Sequence, residues 1–592
     1  MALYKGDKRY TIGNNYSGNI IPLEVTKDGV YTAPTGVSGY NPITMKNNNP
    51  GVNFGTHCDN NGIWHKPEEW DDIESIDLTG KHEVYFLCAC HRTEHDWFRI
   101  RFYGGGTLKW SYGHVSNGTY TIHADSTETT VSSGSYIALY LANLQDDYIV
   151  VRITSTSYIT SCAYAAWSAT ADLNCNMPAT YQSVLMRYGR MVRGTSLASS
   201  TTHCLESDNI LDFASYYWNT TTTITVNSAY VNAFNLQRWR CTGWDLAKNK
   251  ITNFSSMFST CWSLCDVPNP LNLDGWVTSN TTTVASMFNQ CRSMNTSITV
   301  NNWNLSNITT MGYLFNDCYG VKSIIGTETW NSAPKCTNIS YIFSGCRSVR
   351  NKLDLSKCYF GNGTANLTTA AYLVNACYSC PEIDISNINL SKCTTVAYLI
   401  SNDTACKKLT MNNVTAITSV CTTTNYLFIN AAIPELTIDG WNFSGITSSG
   451  GFLGNCNSCG GLKKLIFKNC ISPSSTLNDS STPSMFVRYS YTLEYLDVSF
   501  MDMSIFSSTT THAQSFRDLY NLIEFYPPKN ISKSFDLTND SNLNHDSLVR
   551  VINNLVTLAA NTTATLTIGT YNLSKLSAAE QAVATEKGWT LA

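Results

Sequence analysis

Val284-Ala-Ser-Met287-Phe288-Asn-Gln-Cys291 and Met311-Gly-Tyr-Leu314-Phe315-Asn-Asp-Cys318 are two copies of one motif. It recurs upstream as Phe254-Ser-Ser-Met257-Phe258-Ser-Thr-Cys261 and downstream as Ile339-Ser-Tyr-Ile342-Phe343-Ser-Gly-Cys346. Fainter copies end at Cys377, Cys406 (after a short insertion), Ala431, Cys456, Tyr489 and Leu519, a mean interval of about 29 residues. Self-similarity at this period marks a solenoid, because one unit cannot bury its apolar face alone and stacked units bury theirs jointly. Within each copy the apolar residues fall at i, i+3, i+4 and i+7, which predicts one face of a two-turn helix. A short alternating run follows, as in Ser297-Ile-Thr-Val300, Leu462-Lys-Lys-Leu-Ile-Phe467 and Leu493-Glu-Tyr-Leu-Asp-Val498, and predicts a strand. Trp276, Trp303, Trp330 and Trp441 close several of these runs and are expected to pack between neighbouring coils.

The repeat also accounts for many of the 22 cysteines. Phe258, Cys261, Phe288, Cys291, Phe315, Cys318, Phe343 and Cys346 are read as repeat core. A thiol is small and apolar enough for the tight end of the face. Ala, Tyr and Leu replace it in the fainter copies, which a metal ligand would not tolerate. Cys377-Tyr-Ser-Cys380 and Cys456-Asn-Ser-Cys459 have the CxxC spacing of redox or zinc sites, but their second cysteines occupy the slot of Leu264 and Val349, so packing is the better reading.

The Met-Phe-x-x-Cys string and the Trp-closed strand resemble the BspA-like leucine-rich repeats of bacterial surface proteins. The resemblance spans residues 241–530 and implies a leucine-rich-repeat-like α/β solenoid used for adhesion or recognition. It brings no catalytic residue. A second resemblance lies in Ile21-Pro-Leu-Glu-Val-Thr-Lys-Asp-Gly-Val-Tyr-Thr-Ala-Pro34, which is similar to a segment near the start of phage tail and fibre proteins. Asp28 stands where that pattern usually has Asn. This resemblance implies a virion component attached to its particle through the N-terminal region.

Composition narrows the classes further. Ser, Thr and Asn make up roughly a third of the chain, against 14% charged and 12% aromatic residues. Such a chain has too much apolar and aromatic surface to stay disordered. The net charge of −4 and the lack of a basic block argue against nucleic acid as a partner. No run approaches a membrane span in length. Met1-Ala-Leu-Tyr-Lys-Gly-Asp-Lys-Arg-Tyr10 lacks an apolar h-region, so synthesis in a host cytoplasm is expected, with the cysteines as thiols.

The expected fold is multidomain and mainly β with short helices, N-terminal β modules preceding the solenoid. Residues 1–50 are read as a virion-attachment β segment and 51–171 as a β-sandwich-like module. Residues 172–240 are read as connector and solenoid N-cap, 241–530 as the solenoid and 531–592 as a helix-strand-helix cap. In the cap, Asp546 is expected to start one helix and the capping box Ser577-Ala-Ala-Glu580 the next, with Gly588 as a stop.

Candidate chemistry is sparse. His57, His65, His82, His91, His95, His114 and His123 share the β module with Cys58, Cys88 and Cys90, and Cys88-Ala-Cys-His-Arg-Thr-Glu-His95 is the densest potential ligand cluster. Cys88 and Cys90 continue the face of Val84 and Phe86 and are expected in a core, so no metal and no cofactor are assigned. The acidic run Glu68, Glu69, Asp71 and Asp72 reads as a solvated loop, and Asp245, Asp274 and Asp439 as turn residues near the repeat Trp. The chain is read as a non-enzymatic phage tail or head fibre or appendage, located on the virion. Its solenoid would recognise a host-surface glycan or protein, and homo-oligomers and other virion proteins are expected partners. A bacterial BspA-like adhesin, a glycan-degrading virion enzyme and a purely structural virion component are the alternatives.

Overall fold

The computed structural model describes residues 76–164 and 251–592, apart from 78–80, 90–96, 141–143, 147, 263, 266, 268, 429, 447–460, 474–486, 488–489, 506–514 and 541. It also describes 226–228, 230–231 and 238–242, and elsewhere only the backbone of nine short strands between Ala2 and Thr225. The expected attachment segment and much of the expected connector thus lie outside the residues with described side chains. The chain divides into two compact units, Met1–Ile251 with Met257–Val267, and Thr252–Ser256 with Pro268–Ala592.

The first unit is built on antiparallel pairing. Strand Tyr148–Ser155 lies between His82–Ala89 and Leu108–Ser116, with Val151 opposite both Phe86 and Tyr112. A second sheet pairs Trp97–Gly105 with Tyr136–Tyr140 and with Tyr158–Tyr164. Val84, Phe86, Ile149, Val151 and Ile153 are buried, as β-branched and aromatic residues on a covered sheet should be. Strands Leu108–Ser116 and Tyr158–Tyr164 are not marked by the sequence pattern, because Ser, Gly and His break the alternation of the first and Thr, Ser and Ala that of the second.

The second unit is a β-solenoid; counted from the first motif copy, the array has about ten coils. Its strands are two to five residues long and pair in parallel between successive coils. Leu271, Ile298 and Ile324 form one inward column, Leu353, Ile383 and Leu409 the next, and Leu436, Leu465, Leu496 and Phe525 a third. A second column of bridges runs through Asn253, Thr283, Thr310, Asn338, Thr369, Thr395 and Thr423.

The expected two-turn helix is not formed. The copies Val284–Cys291 and Met311–Cys318 each fold as two tandem four-residue turns: in the second, Leu314 N–H bonds Met311 C=O at 3.2 Å, and Cys318 N–H bonds Phe315 C=O at 3.3 Å. The third residue of each turn is left-handed, Tyr313 at φ 61° and Asp317 at φ 56°. A pair of four-residue turns projects residues i, i+3, i+4 and i+7 inward just as a helix does, so the apolar spacing does not separate the two. Hydrogen bonding does. The N–H groups of Met311, Tyr313, Phe315 and Asp317 donate to Asn338, Ser340, Ile342 and Ser344 of the next coil at 2.7–3.0 Å. A helix would have turned the Phe315 and Asp317 amides back to the carbonyls of Met311 and Tyr313 instead.

After the last coils come helix His545–Asn554, strand Ala564–Thr567, helices Gly569–Leu573 and Ala578–Glu586, and strand Trp589–Leu591. The three strands Phe535–Asp536, Ala564–Thr567 and Trp589–Leu591 again pair in parallel. Asn544, rather than Asp546, caps the first helix, its side chain accepting from Ser547 N–H. Asp546 lies in the first turn, where its charge suits the helix dipole. The Ser577–Glu580 capping box is formed in both directions.

Candidate functional site

The repeat-core residues lie inside. In the second unit Phe288, Phe315 and Phe343 are fully buried and stack in register, with ring centroids 5.6 and 6.0 Å apart. The thiols of Cys318, Cys346 and Cys377 each donate to the carbonyl of the Phe one coil earlier, Phe288, Phe315 and Phe343, at 3.1, 3.2 and 2.8 Å. In the first unit Phe258 packs on Tyr230 and Trp239, and Cys261 donates to Tyr230 C=O at 3.1 Å. A cysteine fits this slot because it is apolar, small and still a donor for an otherwise buried carbonyl. Trp303 and Trp330 stack at 5.4 Å, and each indole N–H bonds a carbonyl one coil back, Leu273 and Val300.

The register of the fainter copies changes at Cys406. Cys406 N–H bonds Asp403 C=O, as Cys380 N–H bonds Cys377 C=O. Cys406 therefore fills the second-cysteine slot and Asp403 the first, with no insertion. Cys380 is buried like Cys377, and its thiol faces the carbonyls of Asn351 and Glu382. Cys456 and Cys459 lie outside the described residues.

A surface feature with no core duty is a column of tyrosines. Tyr313, Tyr341, Tyr372, Tyr398 and Tyr426 occupy the left-handed position of the first turn in five successive coils, with φ between 53° and 61°. The first three consecutive pairs stack at 4.5, 4.5 and 4.4 Å, and Tyr398 and Tyr426 meet tilted at 5.1 Å. Tyr313 is 40% exposed and the others are half-buried. Left-handed backbone suits Gly or Asn far better than an aromatic residue, and Ser256 and Ser286 hold the same place in earlier coils. Five tyrosines held there against backbone preference are a pointer to function. Burial, then the neighbouring tyrosines, push the hydroxyls of Tyr341 and Tyr398 up to about 12. The column presents hydroxyls and ring edges, since most ring faces are used by their neighbours. The signal was legible: Tyr recurs at one motif position in five copies.

A threonine column runs through the same coils. Thr282, Thr309, Thr337, Thr368, Thr394 and Thr422 each donate a hydroxyl to the carbonyl of the equivalent residue one coil back, Thr252 being the first acceptor, at 2.9–3.3 Å. Together the columns make a polar, uncharged and periodic surface.

Other candidates separate less favourably. Among the described residues His114, His123 and Asp146 converge, with His114 Nε2 3.2 Å and His123 Nε2 3.4 Å from the two Asp146 oxygens. His123 Nδ1 accepts the Asp125 N–H at 3.1 Å, which leaves its proton on Nε2, directed at Asp146. The triad is thus a carboxylate held between two imidazoles, and metal binding through His123 Nε2 would require that backbone bond to break. The side chains of His57, Cys58, His65, Cys88, Cys90, His91 and His95 lie outside the described set, as do Glu68, Glu69, Asp71, Asp72 and Asp245. His82 is half-buried at the start of its strand. Asp274 and Asp439 bind the next coil: Asp274 accepts the Asn301 N–H at 2.8 Å, and Asp439 the Asn469 amide at 2.9 Å. Buried Glu83 is satisfied by Tyr85 at 2.6 Å and Arg152 at 2.7 Å.

Residues 204–300 and 252–380 match the family described as "Mycoplasma protein of unknown function, DUF285". The match covers less than half the chain. With the stacked coils, it fits a BspA-like repeat protein. No curated protein and no solved structure matches the chain. Among the described residues no helix is long and apolar enough to cross a membrane.

Proposed function

We propose that this chain is a non-catalytic recognition protein whose solenoid binds a partner through its outer face. The tyrosine column carries this reading: five exposed or half-exposed rings are held in an unfavourable backbone conformation that the core does not require. The face suits many shallow contacts made to hydroxyl-rich surfaces through ring edges and hydroxyl groups. Repetition along the coils and homo-oligomer formation would convert weak contacts into avidity. A surface or adhesin-like role agrees with the family match at 204–380.

Two carriers for this surface each have an observation behind them. The segment Ile21–Pro34 supports a phage fibre or appendage, made in the host cytoplasm and attached to other virion proteins through its N-terminal region. The BspA-like repeats support a bacterial surface adhesin. In either setting the ligand is a glycan or protein on a cell surface. The decisive test is binding of fluorescently labelled full-length chain to bacterial cells, comparing wild type with Tyr341→Ser/Tyr372→Ser, which copies the Ser at this position in other coils. Loss of binding with retained secondary structure is expected; unchanged binding would overturn the role of this face. Mass spectrometry of purified particles and of surface-shaved cells decides the carrier.

A further inference from the structure

The threonine and tyrosine columns keep a constant separation of four residues in five successive coils. The segments are 309–313, 337–341, 368–372, 394–398 and 422–426, and none contains Asp, Glu, Lys, Arg or His. Six residues past the tyrosines stand Tyr319, Arg347, Tyr378, Thr404 and Ala432, of which Arg347 alone is charged and lies over the Tyr319 ring at 4.0 Å. Lys335 and Lys392 precede the segments in two non-adjacent coils, and Asp317 follows in one. Along these columns, then, hydroxyl groups recur from coil to coil and charge does not.

The two columns differ in what they offer a ligand. Each threonine hydroxyl gives its one proton to the carbonyl of the coil before it, at 2.9–3.3 Å, so toward solvent it can only accept. Thr309, Thr368, Thr394 and Thr422 are exposed and Thr337 is half-buried. A tyrosine hydroxyl can donate as well as accept. A ligand that fits both columns carries uncharged groups that donate and accept, repeated once per coil.

The repeat selects among such ligands. Ring spacings of 4.5, 4.5 and 4.4 Å follow the roughly 4.8 Å separation of parallel strands. An extended peptide laid along the axis presents like groups every second residue, about 6.7 Å apart, and is out of step by the second coil. Nucleic acid is held largely through its phosphates, for which these segments supply no cations. A pyranose in an extended 1,4-linked chain advances that chain by nearly one coil spacing and carries hydroxyls on both edges.

We propose that the paired threonine and tyrosine columns bind a neutral, linear, extended polysaccharide laid along the solenoid axis, one sugar per coil. Its hydroxyls donate to the threonine oxygens and exchange hydrogen bonds with the tyrosine hydroxyls. Because neighbouring rings cover most tyrosine faces, the sugars are held by hydrogen bonds and ring edges rather than by stacking. The proposal rests on the recognition reading above and gives that face a ligand class.

The test is calorimetric titration of the full chain with cello- and chito-oligosaccharides from the disaccharide to the hexaose. Maltohexaose, built of the same glucose units in a chain that curls, is the control for geometry. Cellohexaose or chitohexaose is expected to bind at least about tenfold more tightly than its own disaccharide, because each added sugar meets another coil's hydroxyls. Salt should change this affinity little, since no ion pair is formed. Tyr341→Phe/Tyr372→Phe keeps both rings and their stacking but removes two hydroxyls, and is expected to weaken hexaose binding by about tenfold with an unchanged circular dichroism spectrum. Affinity independent of length, equal binding of maltohexaose, or a Phe double variant that binds like wild type would each overturn the proposal. If wild type binds cells through the tyrosine face but binds neither hexaose, this proposal fails and the recognition reading stands. If Tyr341→Ser/Tyr372→Ser still binds cells as wild type does, the role of the face fails and this proposal with it.

Discussion

The carboxyl group of Asp403 accepts the backbone N–H of Cys377 at 2.7 Å, reaching back one coil from the slot that thiols occupy in the coils before it. Asp540 repeats the arrangement, accepting the Leu519 N–H at 2.7 Å. Both carboxyls are fully buried, and the second oxygen of each has no hydrogen-bond partner. Burial raises both groups well above the ordinary carboxylate value of 3.8. Burial thus favours the neutral acid in both.

A raised carboxyl contributes stability that is complete below the unfolded value and lost as pH rises toward the folded one. The melting temperature of the wild type should accordingly fall as pH increases through that window. Asp403→Asn keeps the acceptor oxygen and removes the ionisation, so its melting temperature should depend less on pH. Asp403→Ala leaves the Cys377 N–H unsatisfied and should destabilise by about 1–3 kcal/mol. Thermal denaturation across a pH series checks all three; an Asn variant with the wild-type slope would show that Asp403 is ionised in the fold.

Tyr372 stacks on Tyr341 and Tyr398 at 4.5 and 4.4 Å. Tyr372→Ala should lose both contacts while keeping a left-handed backbone, destabilising by about 1–3 kcal/mol at roughly 0.5–1.5 kcal/mol per ring pair. Tyr372→Gly loses the same contacts but relieves the backbone, and should be the more stable of the two. Comparing their melting temperatures separates ring stacking from backbone strain. Equal values would mean that the position carries no strain.

The buried thiols should be chemically silent. Burial pushes Cys318, Cys346 and Cys377 up, Cys336 up to about 12 and Cys421 up to about 11, and the thiolate is the reactive form. Brief alkylation of the native chain followed by peptide mass spectrometry should find these five unmodified and find them labelled after denaturation. Native labelling of Cys318 would contradict its packing against Phe288.

Trp330 joins two coils through its stacked ring and its 2.9 Å bond to Val300 C=O. Trp330→Phe keeps an aromatic ring but leaves a buried carbonyl without its donor and removes ring volume. A loss of about 2–4 kcal/mol is expected from the two effects together. Hydrogen exchange should localise the change to coils around residues 300–330. An effect spread evenly over the solenoid would mean that the coils unfold as one unit.

How much of this was legible in the sequence depended on what each pattern can distinguish. The repeat, its inward Phe and Cys positions and the parallel strands followed from periodicity, because burial dictates which positions are apolar. The turn pair did not, since helix and tandem turns bury the same four positions. The residues that separate them, Tyr313 and Asp317, look ordinary until their backbone is seen to be left-handed. Asp403 escaped because a buried acid is read as a break in an apolar column, and Cys406 three residues later offered a false register. The tyrosine column needed the copies aligned on their surface positions as well as on their core. The pairing of Arg347 with Tyr319 required the coil spacing, which no single repeat contains.

The tandem turns have an electrical consequence. In an ordinary sheet the peptide dipoles alternate and largely cancel. Here the amides of Met311, Tyr313, Phe315 and Asp317 all point toward the following coil, and Val284, Ser286, Phe288 and Gln290 do the same one coil earlier. Aligned peptides of about 3.5 D each add along their common direction, as they do in a helix. This wall of the solenoid is thus polarised along the axis, its positive pole toward the C-terminal coils, the reverse of a helix. The Asp403 carboxyl accepts the Cys377 N–H just past the matching row in which Ala370, Tyr372, Val374 and Ala376 donate to Thr395, Ala397, Leu399 and Ser401, where the field of the array draws electron-rich groups.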